Sequence, residues 1–153
     1  MNGLRRLTAQ IADQLRDAYA TLATTTPEWA VQVEPEYLLI PTPPSIDVFA
    51  GRTPARDLET AGFGDIAGGY VITVRARVGT SDQDAGQELL AELADDASEW
   101  SIAGVIDDDP TLGGYASSTD VFEFSGISGY PDGTGVIAWI GFELQLLVIP
   151  AQS

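Results

Sequence analysis

One strand followed by one helix constrains the fold of this chain more than any other feature of its sequence. Apolar and polar side chains alternate over residues 70–78, as they do in a strand with one buried face. Residues 82–97 then carry apolar side chains at helical spacing, and Asp82 and Asp84 stand where the helix dipole favours negative charge. The apolar face of the strand comprises Tyr70, Ile72, Val74, Ala76 and Val78. We therefore expect the helix to pack on that face.

The remaining patterns predict an α+β fold in a single domain spanning residues 1–153. The two main helices are expected at 3–23 and 82–97, with a short helix after residue 100 that stops at Pro110. Strands are expected at 29–33, 45–49, 70–78, 116–125 and 135–149. In the last strand every second residue from Val136 to Val148 is apolar. We expect an antiparallel-rich sheet whose all-apolar face carries both main helices.

A long segment separates the second and third predicted strands. Residues 50–68 are rich in Gly and lack a clear period, and loops of this length are typically mobile or functional. We expect a flexible arm that docks on a neighbouring molecule through Arg52, Arg56 and Phe63. Folding of Phe63 back onto the core is an equal alternative.

The residue types that are absent narrow the chemistry. The chain has no His and no Cys, and all seven of its basic residues are Arg. Histidine- or cysteine-based zinc sites, Ser-His-Asp and Cys-His arrangements, Lys Schiff bases and Lys-containing phosphate loops are therefore excluded. The acidic run at residues 107–109 lacks the alternating ligands and the distal Glu of a calcium-binding loop. We expect no catalytic residue, no metal and no cofactor.

Two alternatives stay open beside a structural role. A carboxylate-dependent enzyme would require at least three carboxylates to converge in one pocket. A small-molecule binding module would require a closed apolar pocket in a monomer. We expect a protein that is not an enzyme, because His, Cys and Lys, which commonly act as nucleophiles or general bases, are missing.

Negative charge is concentrated in the second half of the chain. The formal net charge is −16, and residues 78–153 contain fourteen carboxylates and no basic residue. Such a surface repels free nucleic acid and anionic membrane, and no apolar run approaches the roughly 20 residues that span a bilayer. One explanation of this charge is solubility alone. The more specific hypothesis is that DNA must move past this surface without adhering to it.

The second face of the predicted sheet mixes apolar and charged side chains. Arg75 and Arg77 are expected to pair across the sheet with Glu123 and Glu143. A face of this composition is typical of contacts between protein chains. We expect self-association through this surface, with an interface that includes Val71, Arg75, Arg77, Ile137, Trp139 and Glu143.

The order of elements resembles the tail terminator proteins of long-tailed bacteriophages, also described as tail completion or minor tail proteins. Three stretches carry the resemblance, and it covers nearly the whole chain. They are the Arg-bearing strand 71–79 after a loose loop, the acidic helix 82–97, and the turn at 106–114 followed by a long hairpin. Asp-Pro-Thr-Leu-Gly-Gly, at the end of that turn, is the most specific part of the resemblance. The Lys-free composition, rich in Ala, Gly and Asp, is also similar to that of proteins from high-G+C phages.

The resemblance implies a structural virion protein that forms a homo-oligomeric ring of six copies. Such a ring caps the tail tube, ends tube polymerisation and joins the tail to a head completion or connector protein. It would be assembled in the host cytoplasm and reside at the tail–neck junction, with DNA crossing its lumen without specific binding. The expected lumen acids are Asp95, Asp96, Glu99, Asp107, Asp108 and Asp109. A head-closure or other neck protein is the alternative within this class.

Overall fold

The computed structural model describes residues 3–25, 29–51, 69–80 and 83–151. The helices are α1 (Gly3–Tyr19), α2 (Leu22–Thr25), α3 (Gln83–Ala94) and α4 (Ile102–Asp108), followed by one 3-10 turn at Leu112–Gly114. The strands are β1 (Gln32–Glu34), β2 (Ser45–Ala50), β3 (Tyr70–Gly79), β4 (Ala116–Phe124), β5 (Ser128–Pro131) and β6 (Ile137–Pro150). In these ranges no helix is both long enough and apolar enough to cross a membrane.

The six strands form one mostly antiparallel sheet in the order β1-β2-β3-β6-β4, and β5 pairs with the first part of β6. Only β1 and β2 run parallel among the described strand pairs. The longest register joins β3 to β6, from Tyr70 opposite Val148 to Gly79 opposite Trp139. The predicted α+β class and antiparallel-rich sheet are confirmed.

One hydrophobic cluster joins the helices to one face of the sheet. From β3 the cluster contains every second residue from Ile72 to Val78, as the alternation predicts. From β2 it contains Ile46 and Val48. From β6 the cluster takes Phe142, Leu144, Leu146 and Val148. The helical members are Leu7, Ile11, Ala12, Leu15, Tyr19, Leu22, Leu89, Leu90, Leu93, Ile102, Val105 and Ile106. The alternation of apolar residues in the sequence therefore identified the core residues of β3 and β6.

Several element boundaries differ from the prediction. Helix 3–23 ends at Tyr19 and is followed by the separate short helix α2. The helix predicted at 82–97 ends at Ala94. The first strand, predicted at 29–33, lies at Gln32–Glu34, where it pairs with β2. The loop predicted at 50–68 lies outside the described residues from position 52 onward.

Strand β5 is the element that the sequence did not predict. Three of its four residues, Ser128, Gly129 and Pro131, are of types that favour turns, and no strand is expected from the sequence between residues 125 and 135. In the structure Tyr130 lies opposite Trp139 of β6. A side chain at Gly129 would lie 2.9 Å from Cγ2 of Ile137, so the glycine permits the close approach of the two strands.

Gly141 allows the two central strands to approach each other, and we expect its replacement by Ala to be strongly destabilising. A Cβ atom at this position would lie 1.9 Å from the carbonyl oxygen of Ala76, which is backbone and cannot rotate away. We expect Gly141→Ala to lower the free energy of unfolding by about 1–3 kcal/mol or more, measured by urea denaturation. Gly133→Ala is the control, because nothing lies within 4 Å of its added Cβ. Equal stability of the two variants would contradict this account of β3 and β6.

Replacement of Phe142 by Ala tests which face of β6 packs in the core. The side chain of Phe142 is fully buried and its ring lies 5.4 Å from that of Phe124. Phe142→Ala removes a large side chain from a packed site, and we expect a loss of about 3–5 kcal/mol in unfolding free energy. A loss well below 1 kcal/mol in the same denaturation experiment would mean that the faces are assigned in reverse.

Candidate functional site

Two arginines lie side by side on the second face of the sheet, away from the hydrophobic cluster. The alternation of β3 places Arg75 and Arg77 on the face opposite to Ile72 and Val74. Each arginine is only 3% exposed in the single chain. Arginine is almost never buried in this way without a partner, so the arrangement requires compensating groups on neighbouring segments.

Asp47 of β2 supplies the negative charge. It lies directly opposite Arg75 in the register of β2 and β3, and its side chain is fully buried. Nε of Arg75 donates to Oδ1 at 3.1 Å, and Nη2 donates to Oδ2 at 2.5 Å, which is the two-pronged geometry of a strong arginine–carboxylate pair. Nη2 of Arg77 contacts the same Oδ2 at 3.5 Å. One carboxylate therefore serves two guanidinium groups.

The backbone of Leu38 completes the arrangement. Its carbonyl oxygen accepts hydrogen bonds from Nη2 of Arg75 at 3.0 Å and from Nη2 of Arg77 at 2.8 Å. Its N–H donates to Oδ2 of Asp47 at 3.0 Å. The segment before β2 is thereby held against the second face by hydrogen bonds to charged groups, which are stronger than those between neutral groups.

Aromatic rings surround the two guanidinium groups. The Arg75 guanidinium carbon lies 4.5 Å from the centre of the Tyr37 ring and 5.0 Å from that of Phe49. Arg77 lies 5.6 Å from the Trp139 ring, and the Tyr130 ring lies within 6.0 Å of both arginines. These separations are those of cation–π contacts, which stabilise a cation that has been removed from water.

Polar pairs extend the layer along β6. The Tyr130 hydroxyl donates to Oε2 of Glu143 at 3.0 Å, and the Thr73 hydroxyl donates to Oε1 of Gln145 at 2.8 Å. Burial, followed by the negative charge of Glu143, raises the pKa of Tyr130 above its ordinary value. Tyr130 is therefore a neutral hydrogen-bond donor at physiological pH.

The two arginines differ in how well their charge is compensated. Burial disfavours the charge of Arg75, but the hydrogen bonds and charge of Asp47 outweigh it and raise the pKa of Arg75. Burial and the like charge of Arg75 lower the pKa of Arg77. Among the described residues, the buried Nε of Arg77 has no acceptor, and the hydroxyl of Ser45, opposite Arg77 in the register, also has no partner.

A groove of about 470 Å³ lies over this pair. Arg75 and Arg77 line it together with two chain segments, residues 37–40 on one side and the start of the β5–β6 turn on the other. The lining residues from those segments are Tyr37, Leu39, Ile40, Tyr130, Pro131, Asp132 and Gly133. Oδ1 of Asp132 already accepts hydrogen bonds from the backbone N–H groups of Thr134 and Val136. This carboxylate oxygen of Asp132 therefore already has hydrogen-bond partners within the turn.

The structure corrects the view of the mixed face as an open surface. Val71, Arg75, Arg77 and Glu143 of the predicted interface are buried within the single chain, and the segment through Leu38 explains the burial of the arginines. Of the six predicted interface residues, Ile137 is exposed and Trp139 is partly buried. Charge reversal at the two arginines is therefore expected to impair folding itself, not assembly alone.

The acidic partner of the two arginines in the structure differs from the glutamates that the sequence predicts. Glu143 does lie opposite Arg75 across β3 and β6, but Glu123 is exposed and lies opposite Gln145. The acid that pairs with both arginines is Asp47, for which the sequence pattern predicts no role. Its signal was present: Asp47 is the single charged residue of an otherwise apolar or small strand.

The predicted docking residues Arg52, Arg56 and Phe63 lie outside the part of the chain that the structure describes. The predicted lumen acids are divided between two regions. Asp95, Asp96 and Glu99 follow α3, and Asp107, Asp108 and Asp109 are at the end of α4; all are exposed except Asp109, which is partly buried.

Asp109 has a local structural role. Its Oδ2 accepts from the Gly113 N–H at 2.9 Å, and its Oδ1 accepts from the Thr111 hydroxyl at 2.7 Å. These hydrogen bonds, that of Thr111 first, hold the pKa of Asp109 below its ordinary value. Gly113 and Gly114 have φ values of 69° and 95°, which favour glycine, and the turn buries Leu112. The Asp-Pro-Thr-Leu-Gly-Gly stretch therefore closes α4 and directs the chain into β4.

Carboxylates also line an open groove between α1 and α4. They are Asp13, Asp17, Asp108 and Asp109. Asp13 is paired with Arg16 at 2.7 Å, and Asp109 is engaged in its turn. Over the described residues, no three acidic side chains are arranged so that they could hold a metal ion.

A scan against models of known protein families found no family that matches this chain, and a search of curated proteins found no match either.

Asp47 should be indispensable for stability, because both arginines depend on it. Asp47→Asn leaves two buried guanidinium groups with a neutral partner, and we expect a loss of about 3–5 kcal/mol in unfolding free energy. Asp13→Asn, which breaks the exposed pair with Arg16, is the control and should cost about 0–1 kcal/mol. Urea denaturation of the two variants measures both values. A loss below about 1 kcal/mol for Asp47→Asn would contradict the role of Asp47.

Proposed function

We propose that this chain is a structural virion protein that assembles as a homo-oligomeric ring on the end of a phage tail tube. In this role it stops tube polymerisation and joins the tail to a head completion or connector protein. The proposal starts from the resemblance of the sequence to tail terminator proteins. The function is geometric and requires no reaction.

The observation that carries the proposal is a group of two adjacent exposed apolar side chains at the start of β6. Val136 and Ile137 are 62% and 51% exposed. Ile137 lies where β5 pairs with β6, opposite Pro131. Exposed large apolar side chains that adjoin each other favour contact with another protein chain.

This group overlaps with the open part of the predicted interface. Ile137 belongs to both, and Trp139 lies two residues further along β6 on the same face. We therefore assign self-association to the end of the sheet where β5 and β6 pair, and no longer to the arginine-bearing centre of the mixed face.

The distribution of acids supports passage of DNA through the ring. Asp95, Asp96, Glu99, Asp107 and Asp108 are exposed, and no basic residue occurs after Arg77 in the sequence. Exposed carboxylates without neighbouring cations repel phosphate groups. An acidic lumen would let a genome pass without adhering.

Mass in solution, measured by light scattering after size exclusion, tests the proposal with and without assembled tail tubes. A hexamer, or a monomer that forms rings only on tube ends, is the expected result. Binding to isolated head connectors but not to tubes would instead favour a neck protein. A monomer that ignores tubes and connectors would contradict the proposal and favour a binding module or a carboxylate-dependent enzyme.

The double substitution Val136→Ser and Ile137→Ser should weaken self-association. Each side chain loses apolar area that the interface would bury, and a tenfold or larger rise in the dissociation constant between copies is expected. Leu39→Ser with Ile40→Ser is the matched control, because these two adjacent side chains are also aliphatic and exposed, and they lie at a different site. Light scattering over a concentration series measures both. An unchanged oligomer in the first variant would rule out this end of the sheet as the interface.

A further inference from the structure

A groove with apolar walls and two acidic side chains lies between the helices and strand β4. Its volume is about 280 Å³, just below the usual range for small-molecule sites, so it accommodates one long side chain. Asp96, which follows α3, and Glu123 of β4 line the groove, and both residues are exposed. The apolar part of the lining includes Leu93, Val121 and Leu144.

This combination of groups suits an arginine side chain. The apolar stem of an arginine packs on aliphatic groups, and its guanidinium group pairs with a carboxylate through two parallel hydrogen bonds. Among the described residues, neither Asp96 nor Glu123 has an ion-pair partner. The groove therefore offers two uncompensated negative charges beside an apolar wall.

Arg5, in the first turn of α1, is a cation that lacks such a partner. It is exposed, and its guanidinium group makes no ion pair or ring contact within the part of the chain that the structure describes. The first turn of α1 contains no acidic residue, and a positive charge at this end of a helix opposes the helix dipole. The described contacts within one chain therefore leave the unfavourable position of Arg5 uncompensated.

Arg5 and the groove are too far apart to meet within one chain. The neighbouring Arg6 lies over the ring of Tyr115, the residue before β4, with its guanidinium carbon 4.8 Å from the ring centre. The groove instead lies beside Glu123 and Phe124, where β4 ends. A strand rises about 3.3 Å per residue, so the two ends of the 9-residue β4 are about 25 Å apart. Another copy of the chain is needed to bring Arg5 to this groove.

We propose that Arg5 of one copy inserts into this groove of the next copy, where its guanidinium group pairs with Glu123 and Asp96. The inference rests on the proposed ring and specifies a charged part of its subunit contact. Two different surfaces meet in this contact, and its repetition closes into a ring when the rotation between copies permits. It places Asp96 at the contact and no longer in the lumen.

Charge selects a second copy as the occupant of the groove. Each copy carries a net charge of −16, so copies repel one another unless their contact places a cation opposite the acids. The exposed arginines of the described residues are Arg5 and Arg16, and Arg16 is already paired with Asp13 of its own helix. Arg5 is therefore the exposed arginine that remains available for such a contact.

The groove lies on the same side of the sheet as the exposed start of β6. Strand β3 pairs with one edge of β6, so β4 and β5 both pair with the other edge. The charged contact at Glu123 and the apolar contact at Val136 and Ile137 are therefore both available to one neighbouring copy.

Two charge reversals that complement each other test the contact. Arg5→Glu and Glu123→Arg each place like charges opposite one another between identical copies, and we expect a tenfold or larger rise in the dissociation constant for either variant alone. In an equimolar mixture, every contact between unlike variants joins an arginine to a glutamate. The mixture should therefore recover the mass and affinity of the unmodified assembly, measured by light scattering after size exclusion with and without tail tubes.

Two controls separate the contact from general effects of charge and folding. Arg5→Glu should not lower the midpoint of urea denaturation, because a carboxylate in the first turn of α1 is favoured by the helix dipole. Loss of assembly in this variant is then not caused by unfolding. Glu88→Arg makes the same charge change at an exposed position of α3 and should leave assembly unchanged.

The outcomes distinguish this contact from the ring itself. Assembly that neither reversal affects, or a mixture that does not recover, would overturn the contact and leave the ring in place. Sensitivity to Glu123→Arg without sensitivity to Arg5→Glu would also overturn it and would assign the groove to a different basic partner. An unmodified chain that stays monomeric with and without tubes would contradict the ring, and this contact with it.

Discussion

The carboxylate of Asp47 is the group on which the second face of this sheet depends. Two guanidinium groups that are removed from water would be prohibitively unfavourable without it. Asp47 pairs with Arg75 in a two-pronged arrangement, approaches Arg77, and accepts the N–H of Leu38. A single side chain therefore joins two neighbouring strands to the segment that covers them.

The two faces of the sheet are stabilised by different physical effects. One face buries aliphatic and aromatic side chains against the helices, and its contribution scales with apolar area. The other is a polar layer in which geometry matters more than area, because each charge needs a partner at the right place. A charged side chain also protects the edge strand β1. Arg16 of α1 donates a hydrogen bond to the carbonyl oxygen of Val33 at 2.6 Å and covers that part of the edge.

Periodicity was sufficient to predict the core and insufficient to predict the groove. The alternation around Val74 and Phe142 identified their buried face, because the period of a strand is a local property. The cover formed by residues 37–40 was not predicted, since its neighbourhood is rich in Pro and resembles a loop. Strand β5 was missed because its Gly and Pro residues are turn formers whose pairing depends on β6. Pairings between segments distant in the sequence, such as Asp47 with Arg77, depend on tertiary register and leave no local period.

The face whose sequence mixes apolar and charged residues contains both buried and exposed regions. The arginine-bearing centre is closed within the chain, whereas the start of β6 and the side chains of Leu39 and Ile40 remain open to other molecules. Buried charge thus stabilises the fold, and the exposed apolar groups are accessible to other molecules. This division explains how one sheet can carry arginines on its face and still present separate contact regions.

A double-mutant cycle between Asp47 and Arg75 tests this picture most directly. The unfolding free energies of Asp47→Asn, Arg75→Gln and the double variant are compared with that of the unmodified chain. If the pair closes the face as described, the two losses are strongly coupled, by about 1–3 kcal/mol, because removing either partner already breaks the same contact. Losses that add to within about 0.5 kcal/mol would show that the two side chains act independently and that Asp47 does not organise the second face.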